Sequence, residues 1–453
     1  MPGGGGALWS PPRSPARPLA EALAWLWRLG PVLDEARPGA VGLATGEEAA
    51  TLEKLLRGGR IAGAVVLCGG PDAEDPGLPK LARVRGRASF SEATVSGPFC
   101  VFQEGDPVVR SSLGAHAVVR RGLLFLGADP GGWGRVSEFW VVPLLARFFV
   151  ETLDRPLALL PAVGCLRWDD VPGTAQHQLE GRAQSDRAMA RRLARLVPRY
   201  RRGQARLVVA VASSALVDGQ EVPLEEAWPR SLAVLRAGVA ASVLEPACHG
   251  TLHLDAEALA RGVVDPREFA RLSAAEAGRR LDRALDWMRR SLGEPASFVA
   301  PAWAYSAGTL QAARERGLPI WRPPRPGSLL DGGELYETLG HSLRGIVGLD
   351  YRALTSLAAV GLPPTVVLHG GLLDHRLSTL HPLRDISAIL RLLVSRDLDR
   401  LPFLSGIRWV GAGDLARELA SHAEVATTGS WPTSSEGRSP ARLLTRRGLV
   451  TLR

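Results

Sequence analysis

Short apolar runs alternate with stretches of helical spacing along most of this chain. In its first part, "IAGAVVLCGG" and "RGLLFLGADPGG" are apolar runs that end in Gly, Asp or Pro turns, as buried parallel strands do. Helix-like stretches such as "EEAATLEKLLRGG" and "SEFWVVPLLARFFVETLD" lie around them. The pattern predicts an α/β layer domain over residues 19–155, preceded by a disordered, Gly/Pro-rich leader at residues 1–18.

A second alternating series occupies residues 156–424. Helical stretches such as "SDRAMARRLARLV" separate most of its apolar runs. The candidate strands are 157–168, 205–213, 238–248, 296–303, 318–323, 344–351, 364–370 and 407–411. Seven or eight strands that alternate with helices predict a (β/α) barrel. Residues 425–453, rich in Ser, Thr, Gly and Pro, are expected to form a flexible basic tail.

Composition agrees with a soluble, two-domain protein and argues against nucleic-acid binding. The chain has 453 residues, of which 46% are hydrophobic and 22% charged. Its formal charge of +9 raises the question of a nucleic-acid partner. Lysine occurs only at Lys54 and Lys80, however, and the arginines are spread through helical stretches. Because no basic and aromatic residues interleave as in a stacking groove, we expect no nucleic-acid partner.

Cysteine usage and hydropathy bear on the compartment. The four cysteines are far apart and form no CxxC pair, which indicates buried thiols in a reducing environment. No apolar run reaches the roughly 18 residues of a membrane span. The apolar stretch after the leader is interrupted by Glu21 and Arg28, which makes it a poor export signal. We therefore expect a cytoplasmic protein, with secretion as the alternative.

Polar residues follow several strands of the second series. Asp169 and Asp170 come after the first, His249 and His253 follow the third in "CHGTLH", and His369 ends "VVLH". Taken singly, an aspartate pair is often a helix cap and an HxxxH pair a coincidence on the surface. In a barrel, however, the carboxyl ends of the strands meet at one mouth.

The two histidines and a carboxylate could form a metal site. On a turn of helical pitch, His249 and His253 would lie on one side, close enough to share a divalent ion. Gly250 stands where HExxH proteases have glutamate, which disfavours that class. A carboxylate from another strand end would complete a His₂Asp site with an open position for water. Zinc is favoured by these ligands, and cobalt, nickel or manganese would also fit.

The motifs "RWDD", "HGTLH", "FVAPAW" and "VVLHG", in this order, resemble those of the NodB-homology polysaccharide deacetylases, and of their divergent, uncharacterised bacterial members in particular. That resemblance implies a distorted (β/α) barrel that removes an acyl group from a carbohydrate. It implies that Asp169 is the base and His369 the acid. It also implies that Asp170, His249 and His253 bind the metal.

The groove motif of that family is matched only in part. Pro301 and Trp303 are present as candidate substrate-binding residues, and Trp303 is a candidate sugar platform. Val299 stands where the resemblance implies an arginine that orients the base. Arg322, at the end of the next predicted strand, is a candidate to supply that guanidinium. The missing arginine leaves open a catalytically degenerate barrel that binds glycans or acts as a scaffold.

One further enzyme class also fits these residues. A glycoside hydrolase on a related barrel would need a second carboxylate about 5 to 9 Å from Asp169 or Asp170.

The first domain faintly resembles flavodoxin-like or amidotransferase-like domains, but Cys68 lies inside an apolar run without the spacing of a nucleophile elbow. We therefore assign no chemistry to it.

Overall fold

The structure is a computed structural model, and it describes most of the chain. The described residues are 8–69, 78–90, 94–129, 140–153, 156–180, 185–322, 335–336, 351–369, 406–428, 442–445 and 448–451. Residues 1–7 of the predicted leader and most of the predicted tail lie outside them. The expectation of disorder is wrong for leader residues 8–18, because Leu8–Trp9 is a strand paired with Val41 and Gly42 and a helix begins at Arg17. Predicted strand 344–351 lies outside the described residues except for Tyr351.

The described residues form a mixed α/β structure. The strands are β1 (Leu8–Trp9), β2 (Val41–Thr45), β3 (Gly63–Leu67), β4 (Leu81–Ser89), β5 (Thr94–Phe102), β6 (Asp106–Ser111), β7 (Gly114–Arg120), β8 (Leu123–Leu126), β9 (Leu157–Leu159), β10 (Val163–Asp169), β11 (Leu207–Val211), β12 (Ser214–Val217), β13 (Gln220–Pro223), β14 (Leu244–Cys248), β15 (Trp321–Arg322), β16 (Leu335–Tyr336), β17 (Thr365–His369), β18 (Arg408–Val410), β19 (Arg442–Thr445) and β20 (Gly448–Thr451). The helices are α1 (Arg17–Leu26), α2 (Ala49–Arg57), α3 (Val141–Leu153), α4 (Ala175–Leu179), α5 (Asp186–Arg202), α6 (Leu224–Ala227), α7 (Pro229–Ala240), α8 (Ala256–Ala260), α9 (Ala274–Ser291), α10 (Ala307–Glu315), α11 (Tyr351–Ala359) and α12 (Ala412–Thr428). Short 3-10 turns lie at Gly46–Glu48 and Pro301–Trp303.

The first sheet is mixed rather than mostly parallel. Its order is β1-β2-β3-β8-β7-β5-β4, with β6 paired to β7. Strands β1, β2, β3 and β8 are parallel, and the two runs predicted from sequence, β3 and β8, are neighbours in it. Strands β4 to β7 are antiparallel and were not predicted, and they distinguish this sheet from the mostly parallel flavodoxin-like one. Their short connections make hairpins, in which one face can be polar.

The second sheet is parallel and carries the predicted strand ends. Its order is β14-β11-β10-β17, with β18 also paired to β10. Isolated parallel bridges join Cys248 to Phe298 and Phe298 to Ile320, so the parallel order continues beyond β14. Because all these segments run the same way, their carboxyl ends lie at one edge.

Several sequence predictions for this half need correction. The predicted strand 238–248 begins inside α7, and only Leu244–Cys248 is strand, because the Ala-rich start of that run continues the helix. The predicted strand 296–303 makes only the bridge at Phe298 before the turn Pro301–Trp303. Proline at position 301 has no amide hydrogen to donate to a ladder, which ends the strand there.

Helix boundaries follow from their caps. Ser185 caps α5 by accepting a hydrogen bond from the amide of Ala188. Ser273 and Glu276 form a capping box at the start of α9. The sequence "PREFARLSAAEAGRRLDRALDWMRRSL", residues 266–292, has helical spacing from its start, but the helix begins only at Ala274 because of this cap.

The two halves of the chain share one apolar core. Trp27 packs edge-on against Phe149 with ring centroids 5.4 Å apart, and its indole nitrogen donates to the carbonyl oxygen of Val360 at 3.0 Å. Among the described residues, no helix combines the length and apolarity needed to cross a membrane.

Candidate metal centre

The aspartate pair lies at the carboxyl end of β10, the central strand of the parallel sheet. Asp169 is the last residue of the strand and is 2% exposed, while Asp170 is 5% exposed. Consecutive side chains of a strand point to opposite faces. Asp170 has a left-handed φ of 62°, so the chain leaves the strand there and its carboxylate turns to the histidines.

The two histidines converge on one oxygen of Asp170. The Nε2 atom of His249 lies 3.2 Å from Asp170 Oδ1, and that of His253 lies 3.3 Å from the same oxygen. One ligand atom from each of the three residues lies within 4.8 Å of the others, and all three side chains are buried. The histidines reach this position from a bent loop, in which His253 has a φ of 60°, and not from the turn of helical pitch predicted from their spacing.

The hydrogen bonds of His249 indicate a place for a cation. Its Nδ1 lies 2.7 Å from the carbonyl oxygen of Val299, and because a carbonyl only accepts, Nδ1 must be the donor. In neutral His249 the lone pair of Nε2 then faces a carboxylate oxygen of Asp170. Two acceptors at 3.2 Å repel unless a proton or a metal ion lies between them.

The ionisation of the two histidines differs for that reason. Burial acts to lower the pKa of His249, but the hydrogen bond to Asp170 and its charge outweigh burial and raise it. Burial dominates at His253 and lowers its pKa to about 4, although Asp170 opposes this shift. His253 is thus neutral near neutral pH, which is the form that binds a metal, whereas a metal ion at His249 must compete with a proton. The set of two nitrogens and one oxygen suits zinc and related ions.

A buried glutamate, Glu268, shapes the histidine loop. It is 1% exposed and accepts hydrogen bonds from the Thr251 amide at 3.0 Å, the Thr251 hydroxyl at 2.5 Å and the His253 amide at 2.8 Å. Burial raises its pKa and outweighs the opposing effect of these bonds. Gly250 has a φ of 79°, and a Cβ there would lie 2.6 Å from Glu268 Oε2. Glycine at this motif position is therefore explained by the space that Glu268 occupies.

Arg167 holds the carboxylate of Asp169. Its Nε donates to Oδ1 at 2.7 Å and its Nη2 donates to Oδ2 at 2.8 Å. Arg167 itself is fully buried, at 0% exposure. A bidentate pair of this kind fixes the orientation of a carboxylate as well as balancing its charge.

A further histidine, His177, faces the other oxygen of Asp170. Its Nε2 lies 3.7 Å from Oδ2, and its side chain is 13% exposed. It lies on α4, whose first turn is capped by Thr174. His177 therefore borders the metal centre on the side opposite the shared Oδ1.

The remaining predicted residues are placed to different extents. Residue His369 ends β17 and pairs in register with Asp169 on the neighbouring strand, but its side chain lies outside the described part of the structure. Pro301 is buried and Trp303 half-buried in the turn that follows Val299. Arg322 belongs to β15, and its side chain also lies outside the described part.

Sequence reasoning missed Arg167, Glu268 and His177. Arg167 had a usable signal, since it is the one charged residue before Asp169 in the apolar strand "VGCLRWD" and lies on the same face two residues earlier. Glu268 gave no local signal, because its partners lie 15 and 17 residues away. His177 follows Asp170 by seven positions, on a helix whose direction the sequence does not give.

Comparisons with known proteins give structural matches only. No protein-family model matches the sequence, and no curated protein matches it. A CE4 family pseudoenzyme from Bacillus anthracis is 10% identical, with 57% of this chain and 66% of that chain covered and a TM-score of 0.32. A family 4 carbohydrate esterase from Streptomyces lividans is 12% identical, with 55% and 92% covered and a TM-score of 0.29.

A third match is a mutant peptidoglycan deacetylase from Bacillus subtilis, 12% identical, with 59% of this chain and 96% of that chain covered and a TM-score of 0.30. All of these TM-scores are below 0.5, so the function is argued from the side chains of this chain.

Proposed function

We propose that this chain is a metal-dependent hydrolase that removes an acyl group, acetyl in the first instance, from a carbohydrate. The observation that carries the proposal is the buried donor set of Asp170, His249 and His253, directly beside a second carboxylate that a guanidinium holds in place. A buried carboxylate that faces two buried imidazole nitrogens is costly unless a cation lies between them.

Each residue has a distinct task in the proposed reaction. Asp170, His249 and His253 would hold a divalent ion, zinc by ligand type, which supplies a Lewis acid that lowers the pKa of water and polarises the acyl carbonyl. Asp169 accepts the proton of the attacking water. Its carboxylate has about four lone-pair sites, and the guanidinium uses two of them.

The leaving group needs a proton, and His369 is proposed to give it. Its backbone is in register with that of Asp169 on the adjacent strand, which puts acid and base at the same edge of the sheet. Trp303 lies in the turn that follows Val299, whose carbonyl oxygen accepts from His249, and is proposed to contact the sugar ring with its half-buried indole.

The scaffold is proposed to be a distorted (β/α) barrel over residues 156–424. The support is the parallel order that runs from β17 through β10, β11 and β14 to Phe298 and Ile320. In this proposal residues 19–155 form an α/β layer of unknown role that precedes the catalytic part and packs against it through the shared apolar core.

The main alternative is a barrel that binds glycans without turnover. Val299, at the position where the motif has arginine, is the observation that favours it. Metal analysis and acetate release separate the two functions. The zinc-loaded chain should release acetate from acetylated chito-oligosaccharides, and Asp169→Asn should bind zinc but release no acetate. Metal or sugar binding without acetate release would support the alternative, and absence of metal would exclude the proposed hydrolase.

A further inference from the structure

We infer that Arg167 is the positioning residue for the base Asp169, and that it does the work that the sequence motif would assign to an arginine at position 299. The inference rests on the proposed function, in which Asp169 takes the proton of the attacking water. It removes the strongest sequence argument for a degenerate site.

Strand geometry brings the two side chains together. Arg167 and Asp169 are two residues apart on β10, so their side chains lie on the same face of the strand. The guanidinium meets the carboxylate edge to edge, at 2.7 Å and 2.8 Å. Because Arg167 is 0% and Asp169 2% exposed, water does not compete for these bonds.

The face of the guanidinium is also fixed. The Cζ atom of Arg167 lies over the ring of Trp321, 4.8 Å from its centroid. That indole is itself held, because its Nε1 donates to Ser297 Oγ at 3.0 Å. The amide of Trp321 donates to the carbonyl of Phe298, the residue just before Val299. The guanidinium therefore lies beside the segment that contains Val299, although it comes from β10.

This arrangement orients the base from within its own strand. A carboxylate held on both oxygens cannot rotate about its last torsion, so its remaining lone pairs point in fixed directions. A lysine at position 167 would supply the charge but not the two parallel bonds. Arg167→Lys therefore distinguishes positioning of the base from neutralisation of its charge.

The experiment compares full-length wild type, Arg167→Lys and Arg167→Met. Arg192→Lys is the matched control, since its guanidinium stacks on Trp168, which points to the other face of β10, at 5.5 Å. Each protein is titrated with Co²⁺, and kcat and KM are measured on acetylated chito-oligosaccharides. Binding of acetohydroxamate to the Co²⁺-loaded chain gives a readout without turnover, because it chelates the metal and offers protons to Asp169.

A misplaced base should lower kcat, and displacements near 1 Å can lower rates about 100-fold. We expect Arg167→Lys to lower kcat at least about tenfold and to lower the affinity for acetohydroxamate about tenfold. KM and the affinity for Co²⁺ should stay within about threefold of the wild-type values. Arg167→Met should show a larger loss, and Arg192→Lys should match wild type.

The possible failures are distinguishable. If the wild type binds Co²⁺ but releases no acetate, the proposed function fails, while acetohydroxamate binding still tests the role of Arg167. The inference would be overturned if Arg167→Lys kept the kcat of the wild type. If the wild type is inactive, the inference would be overturned if Arg167→Lys bound acetohydroxamate as tightly as the wild type. Loss of folding or of Co²⁺ binding in Arg167→Lys would assign Arg167 a structural role and overturn it as well.

Discussion

Substitution of Gly250 should disrupt the loop that carries His249 and His253, even though the sequence motif would accept a hydroxyl residue there. Gly250 has a φ of 79°, a conformation that costs an L-residue about 1–2 kcal/mol. A Cβ would also lie 2.6 Å from Glu268 Oε2 and 2.8 Å from Phe269 Cε2, well inside van der Waals contact. Glu268 would have to move from its bonds to Thr251 and His253, and loss of one bond to a charged group costs about 1.5–3 kcal/mol. We therefore expect Gly250→Ala to destabilise the protein by about 2.5–5 kcal/mol.

Gly262 offers a matched control. Its φ is 74°, nearly that of Gly250, but a Cβ there would meet no atom within 4 Å. Gly262→Ala should therefore show only the backbone term of about 1–2 kcal/mol. The assay is urea unfolding of the metal-free chains together with Co²⁺ affinity, which should fall at least about tenfold in Gly250→Ala alone. Equal destabilisation by the two substitutions, or unchanged Co²⁺ affinity in Gly250→Ala, would refute the steric account.

Three further outcomes are expected. Glu268→Gln should weaken Co²⁺ binding about 10- to 100-fold with little change in volume, because its amide group would face the backbone donors of Thr251 or His253; a titration that matches wild type would contradict this. Because Asp170 raises the pKa of His249, a proton competes with the metal there, so Co²⁺ affinity should fall about tenfold per pH unit as the pH drops below that raised pKa, whereas a pH-independent affinity would exclude this competition. Trp303→Ala should raise KM for oligosaccharides about two- to twelvefold with kcat unchanged, as expected for the loss of an aromatic contact of about 0.5–1.5 kcal/mol, and an unchanged KM would remove Trp303 from the substrate groove.

The sequence predicted what is encoded in local pattern and failed where tertiary contacts decide. The strands that end at Asp169, Cys248 and His369 were recognisable because each is short, mostly apolar and ends at or next to a polar residue. The first sheet's antiparallel strands were missed because charged residues interrupt "LARVRGRAS" and a hairpin keeps one face polar.

The sequence grouped Asp170, His249 and His253 as candidate metal ligands, and the structure brings them together, but the sequence did not predict how they converge. Their spacing predicted a helical turn, whereas left-handed residues at Asp170 and His253 and the hydrogen bonds of Glu268 bring the side chains together. Such turns depend on partners distant in sequence, which a pattern of residue types does not reveal. Asp169, by contrast, owes its geometry to a residue two positions away, and period-2 alternation would have identified Arg167.

The most direct test of the central claim is acetate release by the zinc-loaded chain and by Asp169→Asn, with zinc content measured on the same samples. The account predicts one zinc-dependent activity on acetylated chito-oligosaccharides in the wild type. It predicts that Asp169→Asn retains zinc and loses nearly all of that activity, because the held carboxylate is the proton acceptor. Acetate release that survives in Asp169→Asn, or that is indifferent to removal of the metal, would contradict it.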